Sequence, residues 1–68
     1  MITVTDLKRI RTEIKELIEI RDALYRLSTT CEHYTANKHL HDALFGITQT
    51  VKLLEDHIKD EWQPEQIL

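Results

Sequence analysis

The stretch LHDALFGITQTVKLLEDHI, residues 40–58, places apolar side chains at alternating spacings of four and three residues. Its regular positions are Leu40, Leu44, Ile47, Val51, Leu54 and Ile58. Residues three and four apart share one side of an α-helix, so this spacing is typical of a helix that packs along a narrow seam against another helix. Ala36 and Ala43 widen the seam, and Pro64 stops helix propagation. The stretch therefore predicts a long second helix that ends near residue 60.

A second helical pattern precedes this one. Its members are Leu7, Ile10, Ile14, Leu17, Leu24 and Leu27. They predict a first helix over about residues 5–27, with Thr3 or Thr5 as its N-cap and Asp6 in its first turn. The stretch 29–32, Thr-Thr-Cys-Glu, has the form of a capping box and predicts that the second helix begins near residue 30. A later start at Asn37 is the alternative.

The fold class predicted from these patterns is all-α: an antiparallel two-helix hairpin over residues 1–61, followed by a short tail over 62–68. A chain of 68 residues rarely buries enough apolar surface to be stable alone, and a single cysteine, Cys31, excludes an internal disulfide. We therefore expect the hairpin to assemble into a homo-oligomeric helical bundle.

Composition narrows the expected surroundings and partners. The lone thiol favours a reducing cytoplasm, and no apolar run has the length of a membrane span. The net charge of −3 argues against a general nucleic-acid binder. We expect a cytoplasmic protein that binds neither DNA nor a membrane.

Gly46 lies inside the predicted second helix, where glycine costs roughly 1 kcal/mol relative to alanine. On a helical projection it falls opposite the seam, together with Phe45, Gln49 and Leu53. An apolar pair around a glycine predicts a second contact surface. These four residues are therefore the candidate oligomer interface. The alternative is a solvated face with incidental apolar residues.

Lys8, Arg11 and Lys15 form a basic stripe in the first half of helix 1. The stripe is either an ordinary solvated face or an edge that binds phosphate groups. Arg21 lies on the apolar stripe of the same helix. Either its stem packs while its head reaches water, or its charge faces an anion in a cavity between subunits.

Metal binding and catalysis find little support in the sequence. The four histidines, at positions 33, 39, 41 and 57, include no pair three or four residues apart. Cys31 lacks a base-and-orienter arrangement, and no glycine-rich phosphate loop is present. We expect no metal, no cofactor and no enzymatic activity.

Residues 36–51, ANKHLHDALFGITQTV, resemble the second hairpin helix of the phage anti-CBASS cyclic-nucleotide sponge family, whose hairpin domain is shared with a Thoeris anti-defence protein. The matching positions are Ala36, His39, Leu40, Ala43, Leu44, Phe45, Gly46, Ile47, Thr48 and Val51. Residues 7–20, LKRIRTEIKELIEI, are similar to the family's first helix, with Ile14-Lys15 at its isoleucine-lysine pair. The chain departs from the family pattern at Asn37-Lys38, where arginine-threonine is frequent, and at Gln49, where a basic residue is frequent.

This resemblance implies a homo-oligomer that sequesters cyclic di- or trinucleotides without hydrolysing them, in the cytoplasm of an infected bacterial host. Such a ligand needs cations for its phosphates, a surface on which its bases stack, and hydrogen-bonding groups. The candidate phosphate ligands are Lys8, Arg11, Lys15 and Lys38, of which the resemblance itself points to Lys15. Tyr34 is the candidate for stacking, and Asn37 or Thr48 for hydrogen bonding.

The alternative function is a small helical adaptor, inhibitor or co-chaperone that binds another protein, such as a host protein. It is favoured by apolar residues outside the seam, namely Phe45, Leu53, Trp62 and the Ile67-Leu68 end.

Overall fold

The computed structural model describes residues 2–62 and contains two α-helices, α1 (Val4–Thr30) and α2 (Tyr34–Glu61), with no strand in that range. Ile2, Leu7 and Ile10 at the start of α1 pack against Leu54, Ile58 and Trp62 at the end of α2. The helices are therefore antiparallel, and the predicted helical hairpin is confirmed. We call the end of the rod where these six residues meet the open end.

The molecule is a thin rod. It measures 54 × 15 × 13 Å and has a radius of gyration of 15.7 Å, whereas a compact chain of this length has one of about 11 Å. Neither helix is long and apolar enough to cross a membrane, within the residues described.

Helix α1 has Thr3, one of the two predicted N-caps, as its N-cap. The Thr3 hydroxyl accepts a hydrogen bond from the amide of Asp6 at 3.1 Å, and the Thr3 amide donates to the Asp6 carboxylate at 3.3 Å. This reciprocal pair is a capping box that satisfies two otherwise free N–H groups. Hydrogen bonds to the Asp6 carboxylate from the backbone amide and the side chain of Thr3, helped by the guanidinium of Arg9 3.4 Å away, hold the pKa of Asp6 below its usual value.

The helix boundaries near the turn differ from the predicted ones. Helix α1 continues to Thr30, beyond the predicted end at 27, because the hydroxyls of Ser28, Thr29 and Thr30 each donate to the carbonyl three residues earlier. The capping box predicted over 29–32 is therefore wrong. Helix α2 begins at Tyr34, and its N-cap is His33, whose Nδ1 accepts a hydrogen bond from the amide of Ala36 at 3.1 Å.

Asn37 joins the two helices beside the turn. Its side-chain amide donates to the carbonyl of Ser28 at 2.6 Å and to the carbonyl of Cys31 at 3.1 Å. Carbonyls at the end of a helix have no partner within it, so one side chain of α2 satisfies two acceptors at the end of α1.

Burial is concentrated towards the open end. The buried apolar residues of the described chain are Ile2, Leu7, Ile10 and Val51, and none of its side chains is fully buried. Between residues 17 and 48, which we call the turn half, the only buried residue is Ser28. The seam leucines and isoleucines there are half-buried, so a single hairpin gains little stability from burial in this half.

Of the predicted tail, only Trp62 belongs to the described residues. It is half-buried against the apolar cluster of the open end, so it covers the core rather than offering a free surface. Residues 63–68, which include Pro64 and the Ile67-Leu68 end, lie outside the described residues.

Candidate anion-binding face

The seam divides the surface of the rod into two sides. With the seam residues at heptad positions a and d, positions b and e lie on one side of it and positions c and g on the other. Because the helices run in opposite directions, the b and e positions of both helices lie on the same side of the hairpin. Residues of α1 and α2 that are remote in sequence therefore share one surface.

All five lysines of the chain occupy b positions, and Arg11 occupies an e position on the same side. We call this surface the basic face; its cations are Lys8, Arg11, Lys15, Lys38, Lys52 and Lys59, all exposed. Within α1 and α2, its only carboxylates are Asp22 and Glu55. A local excess of positive charge thus exists in a chain whose net charge is −3.

Within residues 2–62, none of the six cations forms an ion pair. By contrast, Arg9, on the other side of the rod, lies 3.4 Å from a carboxylate oxygen of Asp6 and 3.7 Å from one of Glu13. A cation without a carboxylate partner keeps its full charge for an external anion. The basic face is therefore chemically suited to phosphate groups.

The hydrogen bond between Asn37 and Ser28 also fixes how the two helices are aligned along the rod. A residue of α1 lies opposite the residue of α2 for which the two numbers sum to 65, as they do for 28 and 37. Lys15 is then nearly level with Thr48. Lys8, Arg11 and Lys15 join Lys52 and Lys59 towards the open end. Sequence reasoning missed these last two lysines; their seven-residue spacing was the available signal.

The predicted ligand residues do not form one site within a single hairpin. Tyr34 and Lys38 lie on the basic face but beside the turn, and Lys38 is about 15 Å along α2 from Thr48 at 1.5 Å per residue. Tyr34 is farther still and is 83% exposed. Lys8, Arg11, Lys15 and Thr48 thus form one group, and Tyr34 and Lys38 another.

Asn37 is a predicted ligand residue that does not lie on the basic face. It lies in the seam, half-buried, and its side-chain NH₂ group donates both described hydrogen bonds of that side chain. The donors assigned to a ligand are therefore already bound to the end of α1.

The four predicted interface residues lie on the outer side of α2 but not on one side of the seam. Phe45, at position b, lies on the basic face, whereas Gly46 and Leu53 occupy c positions on the other side. Gln49 lies between them, farthest from α1. A side chain added at Gly46 would meet nothing within 4 Å in the hairpin, so this glycine is not required by the packing of α2 on α1.

Arg21 lies in the seam of α1 and is half-buried. It forms no hydrogen bond or ion pair within residues 2–62. Half-burial at a seam position is typical of long basic side chains whose stem packs while their charge reaches water.

No protein-family model, curated protein or solved structure matches this chain. Within the described residues, no group of three or more histidine, cysteine, aspartate or glutamate side chains is placed to hold a metal ion. Any functional assignment therefore depends on the basic face and on the resemblance of residues 36–51.

Proposed function

We propose that this protein is a non-enzymatic phage counter-defence protein that sequesters cyclic di- or trinucleotide immune signals in a homo-oligomer, in the cytoplasm of an infected bacterial host. The observation that carries the proposal is the basic face, which gathers six cations, none ion-paired among residues 2–62, in an otherwise acidic chain. The resemblance of residues 36–51 to the sponge family supplies the ligand class.

The chemistry of the ligand matches the open-end cations. Cyclic di- and trinucleotides carry one negative charge per phosphodiester and expose flat bases. Lys8, Arg11 and Lys15 supply positive charge, and Thr48, level with Lys15, supplies a hydroxyl. The exposed phenol ring of Tyr34 supplies a stacking surface.

A pocket requires more than one copy of the chain, because a rod about 15 Å wide cannot enclose a dinucleotide. Tyr34 and Lys38 are too far from Lys15 to meet the same ligand within one hairpin. In a homo-oligomer, the turn end of one copy can lie against the open-end cations of another. Enclosure by subunits is thus part of the proposed function.

Calorimetric titration with a panel of cyclic di- and trinucleotides tests this proposal. We expect tight binding to at least one member and recovery of the intact ligand after the protein is denatured. Failure of every member to bind, or recovery of a hydrolysed product, would refute a sponge.

A charge-reversal pair tests the assigned face. Lys8→Glu with Lys15→Glu should weaken binding at least tenfold, about 1.4 kcal/mol, because it places carboxylates beside the ligand's phosphates. The matched control, Arg9→Glu with Arg26→Glu, changes net charge by the same amount away from the basic face and should leave affinity nearly unchanged. Equal losses in both variants would show that only net charge matters.

A protein-binding adaptor, inhibitor or co-chaperone is the second candidate function, and one observation favours it. Phe45 and Leu53 are both 68% exposed, and exposed apolar residues of this size commonly mark protein contacts. Under this reading, Phe45→Ala and Leu53→Ala would abolish activity in a phage-infection assay while every cyclic nucleotide of the panel failed to bind.

A further inference from the structure

We propose that two copies of this chain pair through the side of the hairpin opposite to the basic face, across the turn half. This inference adds to the homo-oligomer of the proposed function a subunit contact on the side away from the ligand, and it does not depend on the ligand. It is carried by the charge, size and exposure of the residues on that side.

The surface has no formal charge. At the c and g positions beside the seam there is no aspartate, glutamate, lysine or arginine from residue 17 to 30 in α1, or from 34 to 57 in α2. We call it the neutral face. Since 31% of the residues in the chain are charged, a solvated surface of this length would ordinarily carry several charges.

Side-chain size on the neutral face suits the close approach of another helix. Along α2 it presents Ala36, Ala43 and Gly46, which are all exposed, so the prediction that Ala36 and Ala43 widen the seam is wrong. Small residues at such spacing let helix backbones approach closely and gain van der Waals contact. The open space around Gly46 in the single hairpin is consistent with contact from outside it.

Large apolar side chains border these small residues. Ile20 is 49% exposed and Leu27 55%. The adjoining seam residues of the turn half are only half-buried. A partner on the neutral face would therefore cover both the exposed residues and the incompletely covered seam.

The elongated chain leaves enough surface exposed for a second copy to pack on it. The chain exposes 5504 Å², whereas a compact monomer of 8.1 kDa exposes about 4,500 Å². The excess of about 1,000 Å² is close to the roughly 800 Å² that each partner buries in a standard stable interface.

Charge also selects a second copy over the other possible contacts. Pairing two basic faces would bring two sets of six cations together, and a charged partner would leave its own charges unpaired against the neutral face. Contact between two neutral faces brings no like charges together and leaves no charge unpaired. A two-fold pair of this kind leaves both basic faces on the outside, open to anions.

Sedimentation equilibrium of the full chain without ligand tests the inference. We expect a dimer for the natural sequence and, for Ala43→Glu, a dimer dissociation constant raised about 100-fold or more, since each copy would bury an unpaired carboxylate. The matched control Gln49→Glu adds the same charge on the outer side of α2 and should remain dimeric. A monomeric natural sequence, or equal dissociation of both variants, would overturn the inference.

Disulfide cross-linking gives a second readout that does not depend on a destabilising change. In a Cys31→Ser background, Ala43→Cys should form a disulfide-linked dimer on mild oxidation, whereas Gln49→Cys should not. Cross-linking at 49 but not at 43 would place the contact elsewhere. Loss of dimers with retained nucleotide binding would refute this inference alone, and dimers without nucleotide binding would refute the proposed ligand alone.

Discussion

Replacement of Asn37 by alanine tests how the turn of the hairpin is held together. The change removes two hydrogen bonds, at 2.6 Å to Ser28 and at 3.1 Å to Cys31, and leaves two carbonyls at the end of α1 without their partner. Each bond contributes about 0.5–1.5 kcal/mol net, so the expected loss is about 2 kcal/mol. For a chain of this size, that lowers Tm by about 8–16 °C.

Thermal unfolding followed by far-UV circular dichroism measures this loss, with all variants at one protein concentration because assembly would make Tm concentration-dependent. Asn37→Asp retains the shape of the side chain but has no hydrogen to donate, so it should lose at least as much stability as Asn37→Ala. Thr35→Ala, an exposed neighbour, should change Tm by less than about 4 °C. An Asn37→Ala variant as stable as the natural protein would refute the assigned role of this side chain.

Two further predictions concern the first turn of α1 and the glycine of α2. Thr3→Ala should cost about 1 kcal/mol of unfolding free energy in urea titrations, because it removes the capping hydroxyl, whereas Thr5→Ala should cost less than half as much. The pKa of Asp6 is lowered from 3.8 by its bonds to Thr3. The contribution of the Asp6 carboxylate to the free energy of unfolding is therefore fully present above pH 3.8 and is lost as the pH falls through the lower pKa of the folded state. An Asp6→Asn variant that loses the same stability on acidification would contradict this assignment. Gly46→Ala should stabilise each hairpin by up to about 1 kcal/mol, since a Cβ there meets nothing within 4 Å. The measurement adds Gly46→Ala to the monomeric Ala43→Glu variant. An unfolding free energy that does not rise would contradict the open geometry around Gly46.

The parts of the fold that depend on local periodicity could be predicted from the sequence. The alternating spacings from Leu40 to Ile58 indicated a helix with one packed side, and the residues at Thr3 and Asp6 are those of a capping box. Such signals involve residues within four positions of each other, so they can be recognised without knowledge of the tertiary structure.

The turn could not be placed in this way because its residues have two local options. Serine and threonine hydroxyls can cap a new helix or bond back to a carbonyl of the preceding one. The second option is realised at Ser28, Thr29 and Thr30. There the long-range bonds of Asn37 hold the end of α1 against the start of α2.

The candidate site also has one part that the sequence predicted and another that depended on how the helices pack. The stripe of Lys8, Arg11 and Lys15 was visible from the sequence, because all three lie on one helix. That Lys52 and Lys59 share the basic face, and that Tyr34 and Lys38 lie too far from Lys15 to act on one ligand within a hairpin, depended on the pairing and level of the two helices.

By itself, then, the sequence determined two amphipathic helices, the main positions of their seam and the outward position of Gly46, since each follows from a repeat of 3.6 residues per turn, and it left Thr3 and Thr5 as alternative N-caps of α1. The tertiary structure decided where the turn lies, that Asn37 serves the seam, and which side of the rod is basic and which is neutral. Those features combine residues of α1 and α2, and a residue's neighbours across the seam depend on the direction and level at which the helices pack.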